Sequence, residues 1–270
     1  MKMFFNTIVL GSTLIFGLSS CQEKIDIDVP GGEPKLVIEA EVNSDETIGS
    51  YVKLSLSSNY FGPTEYPQVK EAEVTINGVP FVMADDGLFL PPSGYKGYPD
   101  STYNLLVKYN GQNYTATSKL EPMFRVDSFF QVFKPKEGFI PEGYSISYSG
   151  FDSRQPIKYT YFQLGSVSKA TNMDSLENGL VLFDNSVTPI NRQYEFELPF
   201  TRYESGDRLF FIFRSCDKAM YDLLNEYNNQ NSGAPGPFQT PPTNLPTNLK
   251  GGALGYFATY DYKRFDYTVK

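Results

Sequence analysis

The sequence contains no histidine and no tryptophan, and it has only 2 cysteines among its 270 residues. Without histidine, the chain cannot form a Ser-His-Asp triad, a Cys-His dyad or a histidine-ligated zinc or haem site. Two cysteines are too few for a four-cysteine zinc or iron–sulfur centre. We therefore expect no enzyme activity, no cofactor and no metal site.

Positive charge is also scarce, because 23 Lys and Arg face 31 Asp and Glu, which gives a net charge of −8. Nucleic-acid binding requires clusters of Lys and Arg that contact phosphates, so the composition argues against a nucleic-acid partner. Surface charge that favours solubility explains the excess of carboxylates. A hydrolase in which two carboxylates flank a sugar bond stays open as an alternative.

The N-terminus has the pattern of a secretory signal peptide, predicted to cover residues 1–20. After a basic start, residues 3–18 are mostly apolar, but this run is too short and too often interrupted for a membrane-spanning helix. It ends in Leu18-Ser19-Ser20-Cys21, which resembles the bacterial lipobox. The sequence thus predicts an acylated Cys21 that holds the protein on a membrane. The alternative is a plain secretory signal that happens to contain a cysteine.

Residues 21–34 are polar and acidic and end in Gly-Gly-Glu-Pro, which is typical of an extended tether. Lipidation of Cys21 would leave Cys216 as the only thiol, so no disulfide could form within the mature chain. Cys216 follows an apolar run, and no histidine is available to activate it. This pattern favours an inert, buried thiol.

Between residues 35 and 122 the hydrophobic pattern has a period of two, as in β-strands. Residues 51–57 alternate cleanly, and the dipeptides Asn77-Gly78 and Asn110-Gly111 predict type I′ hairpin turns. Several short strands separated by turn residues are typical of a β-sandwich of the transthyretin-like or immunoglobulin-like kind. We expect this segment to be an N-terminal β-sandwich domain.

A second series of strand patterns occupies residues 123–270. The predicted strands lie at 125–133, 144–149, 157–164, 180–183, 193–198, 208–215 and 258–269. The sequence therefore predicts a mainly β fold in which two β-sandwich domains are joined near residue 122.

One helix interrupts the strands and is predicted near residues 217–228. Asp217 is a suitable N-cap, and the following apolar residues recur near the 3.6-residue helical period. This apolar stripe contains Ala219, Met220, Leu223, Leu224 and Tyr227. The helix is followed by a Pro- and Gly-rich loop at 232–248, which contains Phe238. Loops of this length within a domain are usually functional or disordered.

Several motifs occur along the chain in a definite order. Cys-Gln-Glu-Lys-Ile-Asp-Ile-Asp at 21–28 precedes Pro-Lys-Leu-Val-Ile-Glu at 34–39 and Glu-Ala-Glu-Val-Thr-Ile at 71–76. A helix around Tyr221 precedes a Gly-Gly and Gly-Tyr-Phe segment within 247–257. In this order the chain resembles a Bacteroidota lipoprotein family, domain-of-unknown-function family 4249. The resemblance implies an outer-membrane lipoprotein, often encoded near a TonB-dependent transporter, and it implies no catalytic residues.

From this resemblance we expect a cell-surface accessory protein for nutrient uptake, and loop aromatics are its candidate contact residues. Tyrosine combines an apolar ring with a polar tip, which suits protein interfaces and sugar stacking. The candidates are Tyr60, Phe61, Tyr66, Tyr95, Tyr98 and Phe238. Two alternatives stay open: the rings fold back onto the ends of the sandwich, or they form a surface glycan-binding module.

Two short motifs resemble the Bacteroidota O-glycosylation acceptor, in which Asp precedes Ser or Thr. They place candidate acceptor hydroxyls at Ser101, in Asp100-Ser101-Thr102, and at Ser175, in Asp174-Ser175-Leu176. Three-residue patterns also arise by chance. Because such a modification requires an accessible hydroxyl, the prediction requires both serines to be exposed.

Overall fold

Strands dominate the regular structure. The computed structural model describes residues 33–58, 66–152, 158–167, 174–176, 181–187, 191–198, 202–231 and 244–270. The strands in these ranges are β1 (Leu36–Asn43), β2 (Tyr51–Leu56), β3 (Glu73–Ile76), β4 (Val79–Asp85), β5 (Leu88–Leu90), β6 (Thr102–Tyr109), β7 (Gln112–Lys119), β8 (Arg125–Lys134), β9 (Gly143–Asp152), β10 (Tyr159–Val167), β11 (Asp174–Leu176), β12 (Val181–Asp184), β13 (Arg192–Glu197), β14 (Arg208–Cys216), β15 (Leu254–Tyr260) and β16 (Tyr262–Thr268). The α-helix is α1 (Lys218–Asn231), and a 3-10 helix covers Asn185–Val187. The predicted mainly β fold is confirmed.

Eight strands form the first sheet, in the order β15-β1-β2-β5-β4-β3-β6-β7. Both predicted hairpin turns are confirmed. Asn77 and Gly78 have φ angles of 49° and 78°, and Asn110 and Gly111 have 48° and 73°. Positive φ at both central residues is what a type I′ turn requires. These two dipeptides therefore set the pairing of β3 with β4 and of β6 with β7.

The concave side of the first sheet holds its own core. Alternate residues of each strand point inward, as a period of two demands. The fully buried apolar side chains include Ile38, Val42, Val52, Leu54, Ile76 and Val107.

The first sheet curls until its two edge strands, β15 and β7, approach each other. Ser118 Oγ on β7 lies 3.0 Å from Thr259 Oγ1 on β15. We call this approach of β15 to β7 the seam, and Asn248 stabilises it. Asn248 Nδ2 donates to Phe257 O at 2.7 Å, and its Oδ1 accepts from the Phe257 amide at 3.1 Å. Asn248 Nδ2 also lies 3.4 Å from Thr117 O on β7. The sheet is thereby nearly closed.

The strand that completes the first sheet comes from the far end of the chain. β15 pairs with β1 in parallel, with Val37 opposite Leu254 and Asn43 opposite Tyr260. The sequence assigned residues 254–260 to the second domain, so this pairing crosses the boundary predicted near residue 122. Pro34–Lys270 accordingly forms one compact unit.

The other strands form two sheets whose apolar faces pack together. One has the order β11-β10-β14-β16, with β12 also paired to β10, and the other has the order β13-β9-β8. The Phe129 ring on β8 stacks on Phe211 of β14 with centroids 4.8 Å apart. Phe213 contacts Phe124 and Tyr148 at 5.7 and 5.5 Å. Aromatic rings therefore fill most of this second core.

Asp261 is the junction between the first sheet and the other two, and only 7% of it is exposed. Its Oδ1 accepts from Ser44 Oγ at 2.8 Å, and its Oδ2 accepts from the Met123 amide at 2.9 Å. Its own amide donates to Ser215 Oγ at 3.0 Å. The predicted single strand at 258–269 is therefore two strands, β15 and β16, which belong to different sheets and meet at this residue.

Candidate ligand groove

A groove on the convex side of the first sheet is the candidate functional site. Alternation along β1 buries Ala40 and turns Glu39 and Glu41 to the convex side. The parallel register places Tyr256 of β15 beside Glu39 and Ala258 beside Glu41. Tyr51 of β2 pairs with Glu41 from the other side. Two carboxylates and two tyrosines thus meet on three adjacent strands.

Helix α1 forms one wall of the groove. Asp217 caps the helix as predicted, because its Oδ1 accepts from the Met220 amide at 2.8 Å. Its Oδ2 accepts from Ser118 Oγ at 2.7 Å, which ties the start of the helix to β7. Met220 and Leu223 line the groove. Ala219 and Tyr227, which the sequence placed on the same stripe, are exposed instead.

Leu245 and Pro246 also line the groove, which is open to solvent and has a volume of about 360 Å³. Gly255 at its edge has a φ of 96°, and a Cβ there would collide with the Ile38 carbonyl. Only glycine fits such a close approach between two strands without strain. The full lining consists of Glu39, Ala40, Glu41, Tyr51, Met220, Leu223, Leu245, Pro246, Gly255, Tyr256, Ala258 and Tyr260.

The tyrosines of the groove are hydrogen-bond donors at neutral pH. Burial raises the pKa of Tyr51 above its ordinary value, and the negative charge of Glu41 raises it further. Burial, together with the charge of Asp217, raises the pKa of Tyr256 in the same direction. Burial also raises the pKa of Tyr260. The hydroxyls therefore keep their protons, and the carboxylates are the charged groups that face the groove.

A half-buried cation lies next to Tyr260. The Arg214 guanidinium lies 5.5, 5.9 and 5.5 Å from the ring centroids of Tyr161, Tyr260 and Tyr262. Its Nη1 donates to Tyr161 Oη at 3.1 Å. Burial opposes the charged form of Arg214, but Tyr161 and the charge of Glu41 outweigh it and raise the pKa. Arg214 is thus a fixed positive charge enclosed by rings, whose field reaches Glu41.

Of the predicted contact aromatics, the three that the structure describes do not line the groove. Tyr60, Phe61 and Phe238 lie outside the described residues, as does Cys21. Tyr66 and Tyr98 are 58% and 59% exposed. Tyr95 instead turns inward and packs edge-on against Phe81 with centroids 5.3 Å apart. This inward packing is the arrangement that the fold-back alternative expects, and burial raises the pKa of Tyr95 to about 12.

The two candidate glycosylation serines differ in exposure. Ser175 is exposed on β11, next to Asp174, whose carboxylate accepts from Arg264 Nη1 at 2.7 Å. Ser101 is half-buried immediately before β6. Modification of either serine stays a prediction, and its accessibility requirement is better met at Ser175.

The β8–β9 hairpin carries an exposed apolar tip that was not predicted from the sequence. Glu137 and Ile140 exchange backbone hydrogen bonds of 3.0 and 2.9 Å around Gly138, whose φ is 59°. The turn leaves Phe139 fully exposed, and Phe133 and Ile140 are exposed as well. We call Phe133, Phe139 and Ile140 the hairpin tip. The signal was present, since two prolines flank an apolar pair in a loop.

Two other features concern the thiol reactivity and the metal binding discussed for the sequence. Cys216 is fully buried, and burial raises the pKa of its thiol, so the inert interpretation is confirmed for its environment. In the described ranges, no three His, Cys, Asp or Glu side chains are grouped closely enough to hold a metal ion.

No protein-family model matches the chain, and no curated protein matches it either. Among the described residues there is no helix with the length and hydrophobicity needed to cross a membrane.

Proposed function

We propose that this chain is a lipid-anchored, non-enzymatic binding protein of the outer membrane that serves a TonB-dependent transporter in nutrient uptake. The groove between α1 and the β15-β1-β2 face carries the binding part of this proposal. Its volume of about 360 Å³ falls within the range of about 300–1,000 Å³ that small-molecule sites occupy. The lipobox ending at Cys21 and the resemblance to the lipoprotein family support the location and the partner.

Binding explains the groove better than hydrolysis does. A glycosidase requires two carboxylates that flank the scissile bond from opposite sides. Glu39 and Glu41 instead lie two residues apart on one strand and belong to the same wall. They can hold one charged or polar group together, but they do not face each other across a substrate.

The hairpin tip is the candidate contact for the transporter. Phe133, Phe139 and Ile140 are exposed there, at the end of β8 that lies away from the Asp261 junction. Exposed apolar side chains of this kind are available to a partner, and a few aromatic anchors usually carry most of the binding energy.

Capture from the membrane tests this proposal. The full-length chain with a C-terminal tag is purified in mild detergent, and co-purifying proteins are identified by mass spectrometry. We expect a TonB-dependent transporter, and we expect Phe139→Ser with Ile140→Ser to reduce its recovery at least severalfold. Tyr227→Ser, at an exposed position of α1, is the matched control. Capture of no membrane protein by the unaltered chain would contradict the transporter role and favour a glycan-binding module that uses the exposed Tyr66 and Tyr98.

We also infer an organisation into two β-sandwich domains at residues 35–122 and 123–270. Two separate apolar cores, one within the first sheet and one between the other two sheets, support it. The exchange of β15 into the first sheet implies that 35–122 alone is incomplete. A polypeptide of residues 34–122 should therefore not fold stably alone. We expect its urea unfolding curve to become cooperative only when a peptide of residues 244–262, which contains β15, is added.

A further inference from the structure

We propose that the groove binds a small organic cation, an ammonium or guanidinium group on an apolar stem. The charged group lies at Glu39 and Glu41, and the stem lies against Met220, Leu223 and Leu245. This inference rests on the proposed binding function and specifies the chemistry of its ligand.

The charge of the lining favours a cation. Glu39 and Glu41 are the charged residues among the twelve that line the groove. Lys53 is the cross-strand neighbour of Glu39 on β2, yet no salt bridge joins this described pair. Glu41 already accepts from Asn43 Nδ2 at 3.4 Å and is attracted by the charge of Arg214. Glu39 forms no side-chain hydrogen bond or ion pair with another described residue, so its carboxylate is the more open to a positive group.

Tyr51 and Tyr256 add a second attraction. Both tyrosines line the groove on the strands next to β1, so a cation bound at the carboxylates lies near their rings. Aromatic faces attract cations, more strongly when water is excluded. The raised pKa values keep both phenols neutral, so that the rings retain this character.

The apolar lining indicates what kind of molecule carries the positive charge. Four lining residues offer apolar surface to the stem, and Ala258 contributes only a small side chain; the four are Met220, Leu223, Leu245 and Pro246. A sugar would need hydrogen bonds to most of its hydroxyls, and these walls supply none. An anion would meet two carboxylates. A volume near the lower end of the small-molecule range favours a free small ligand over a segment of a macromolecule.

Calorimetric titration of the full-length chain in detergent tests the assignment with three probes of one shape: n-hexylammonium, 1-hexanol and hexanoate. We expect hexylammonium to bind at least tenfold more tightly than the neutral and the anionic probe. Glu39→Gln with Glu41→Gln should abolish this preference and leave a weak, equal affinity for hexylammonium and hexanol. Glu195→Gln, which removes an exposed carboxylate on β13, should change nothing.

A second variant addresses the stem. Leu223→Gln should weaken hexylammonium binding severalfold and affect ethylammonium much less, because a two-carbon stem buries little apolar surface. Equal affinity for hexylammonium and hexanol in the unaltered chain, or a preference that survives the double Glu→Gln change, would overturn the cation assignment. Either result leaves the proposed binding role standing, because membrane capture tests that role separately.

Discussion

Asp261 Oδ2 accepts a hydrogen bond from the backbone amide of Met123 at 2.9 Å, across a separation of 138 residues. The other oxygen of the same carboxylate accepts from Ser44 Oγ. The bonds join the end of β1, the entry to β8 and the turn between β15 and β16. The position of the three sheets relative to one another therefore depends on one buried carboxylate.

Replacement of Asp261 by Ala should destabilise the fold by about 2–4 kcal/mol. The Met123 amide and the Ser44 hydroxyl would lose their partners in a buried place, and each unsatisfied group costs about 1–3 kcal/mol. Urea unfolding of the purified chain measures the loss. Lys263→Ala, an exposed change two residues away on β16, is the control and should alter the free energy of unfolding by less than about 0.5 kcal/mol. Similar values for the two variants would contradict the role of Asp261.

Asn248→Ala should open the seam between β15 and β7. The change removes the two bonds to the Phe257 backbone and the contact with Thr117 O. We expect a loss of about 1–3 kcal/mol and faster hydrogen exchange of the Phe257 amide. Asn244→Ala, in the same segment but exposed, is the matched control. Unchanged exchange at Phe257 would show that other contacts close the sheet.

Local patterns predicted the parts of the fold that depend on neighbouring residues. The Asn-Gly turns and most strands of 123–270 followed from positive φ preferences and from alternation, because a turn dipeptide and a period of two are local properties. The exceptions are β11, which was not predicted, and the break at Asp261. The pairing of β15 with β1 was not predictable in this way. It joins segments more than 200 residues apart, and no local signal specifies such a register.

Gly255→Ala should be more damaging than Gly252→Ala. Both glycines have positive φ, 96° and 84°, so a side chain strains the backbone at either position. Only at Gly255 would the new Cβ also meet the Ile38 carbonyl; at Gly252 nothing lies within 4 Å. We expect a drop in thermal midpoint that is clearly larger for Gly255→Ala. Equal drops would mean that β1 can move away from β15.

Stability should fall at alkaline pH. Burial raises the pKa of Cys216, with a further contribution from Asp217, and burial raises that of Tyr161 to about 12. The thiol of the unfolded chain has a pKa of about 8.5, whereas the buried thiol of the folded chain keeps its proton to a higher pH. The stability that the buried thiol contributes is therefore fully present below about pH 8.5 and is lost as the pH rises above that value. Between pH 8 and pH 10 we expect urea titrations to show a loss of about 2 kcal/mol from Cys216. Cys216→Ala should lack that part of the decline, and an identical decline in both chains would contradict the assignment.

The groove was hidden from the sequence for a physical reason. Glu39 and Glu41 alternate with buried residues, which is also the pattern of any half-exposed strand. Their significance arises from Tyr256 on a distant strand and from the placement of α1 above them. The loop position of Tyr95 predicted a contact residue, and its packing against Phe81 depends on a residue of another strand, which a local pattern does not show.

Intact-mass and peptide mass spectrometry of the N-terminus of the native protein, extracted from membranes, tests the central claim most directly. If the chain is a lipid-anchored binding protein, the first residue is Cys21, and it carries a diacylglyceryl thioether and an amide-linked acyl chain. Cys21→Ala should then leave the protein without lipid. An unmodified Cys21, or cleavage at another residue, would contradict the anchor and with it the proposed place of this protein at the outer membrane.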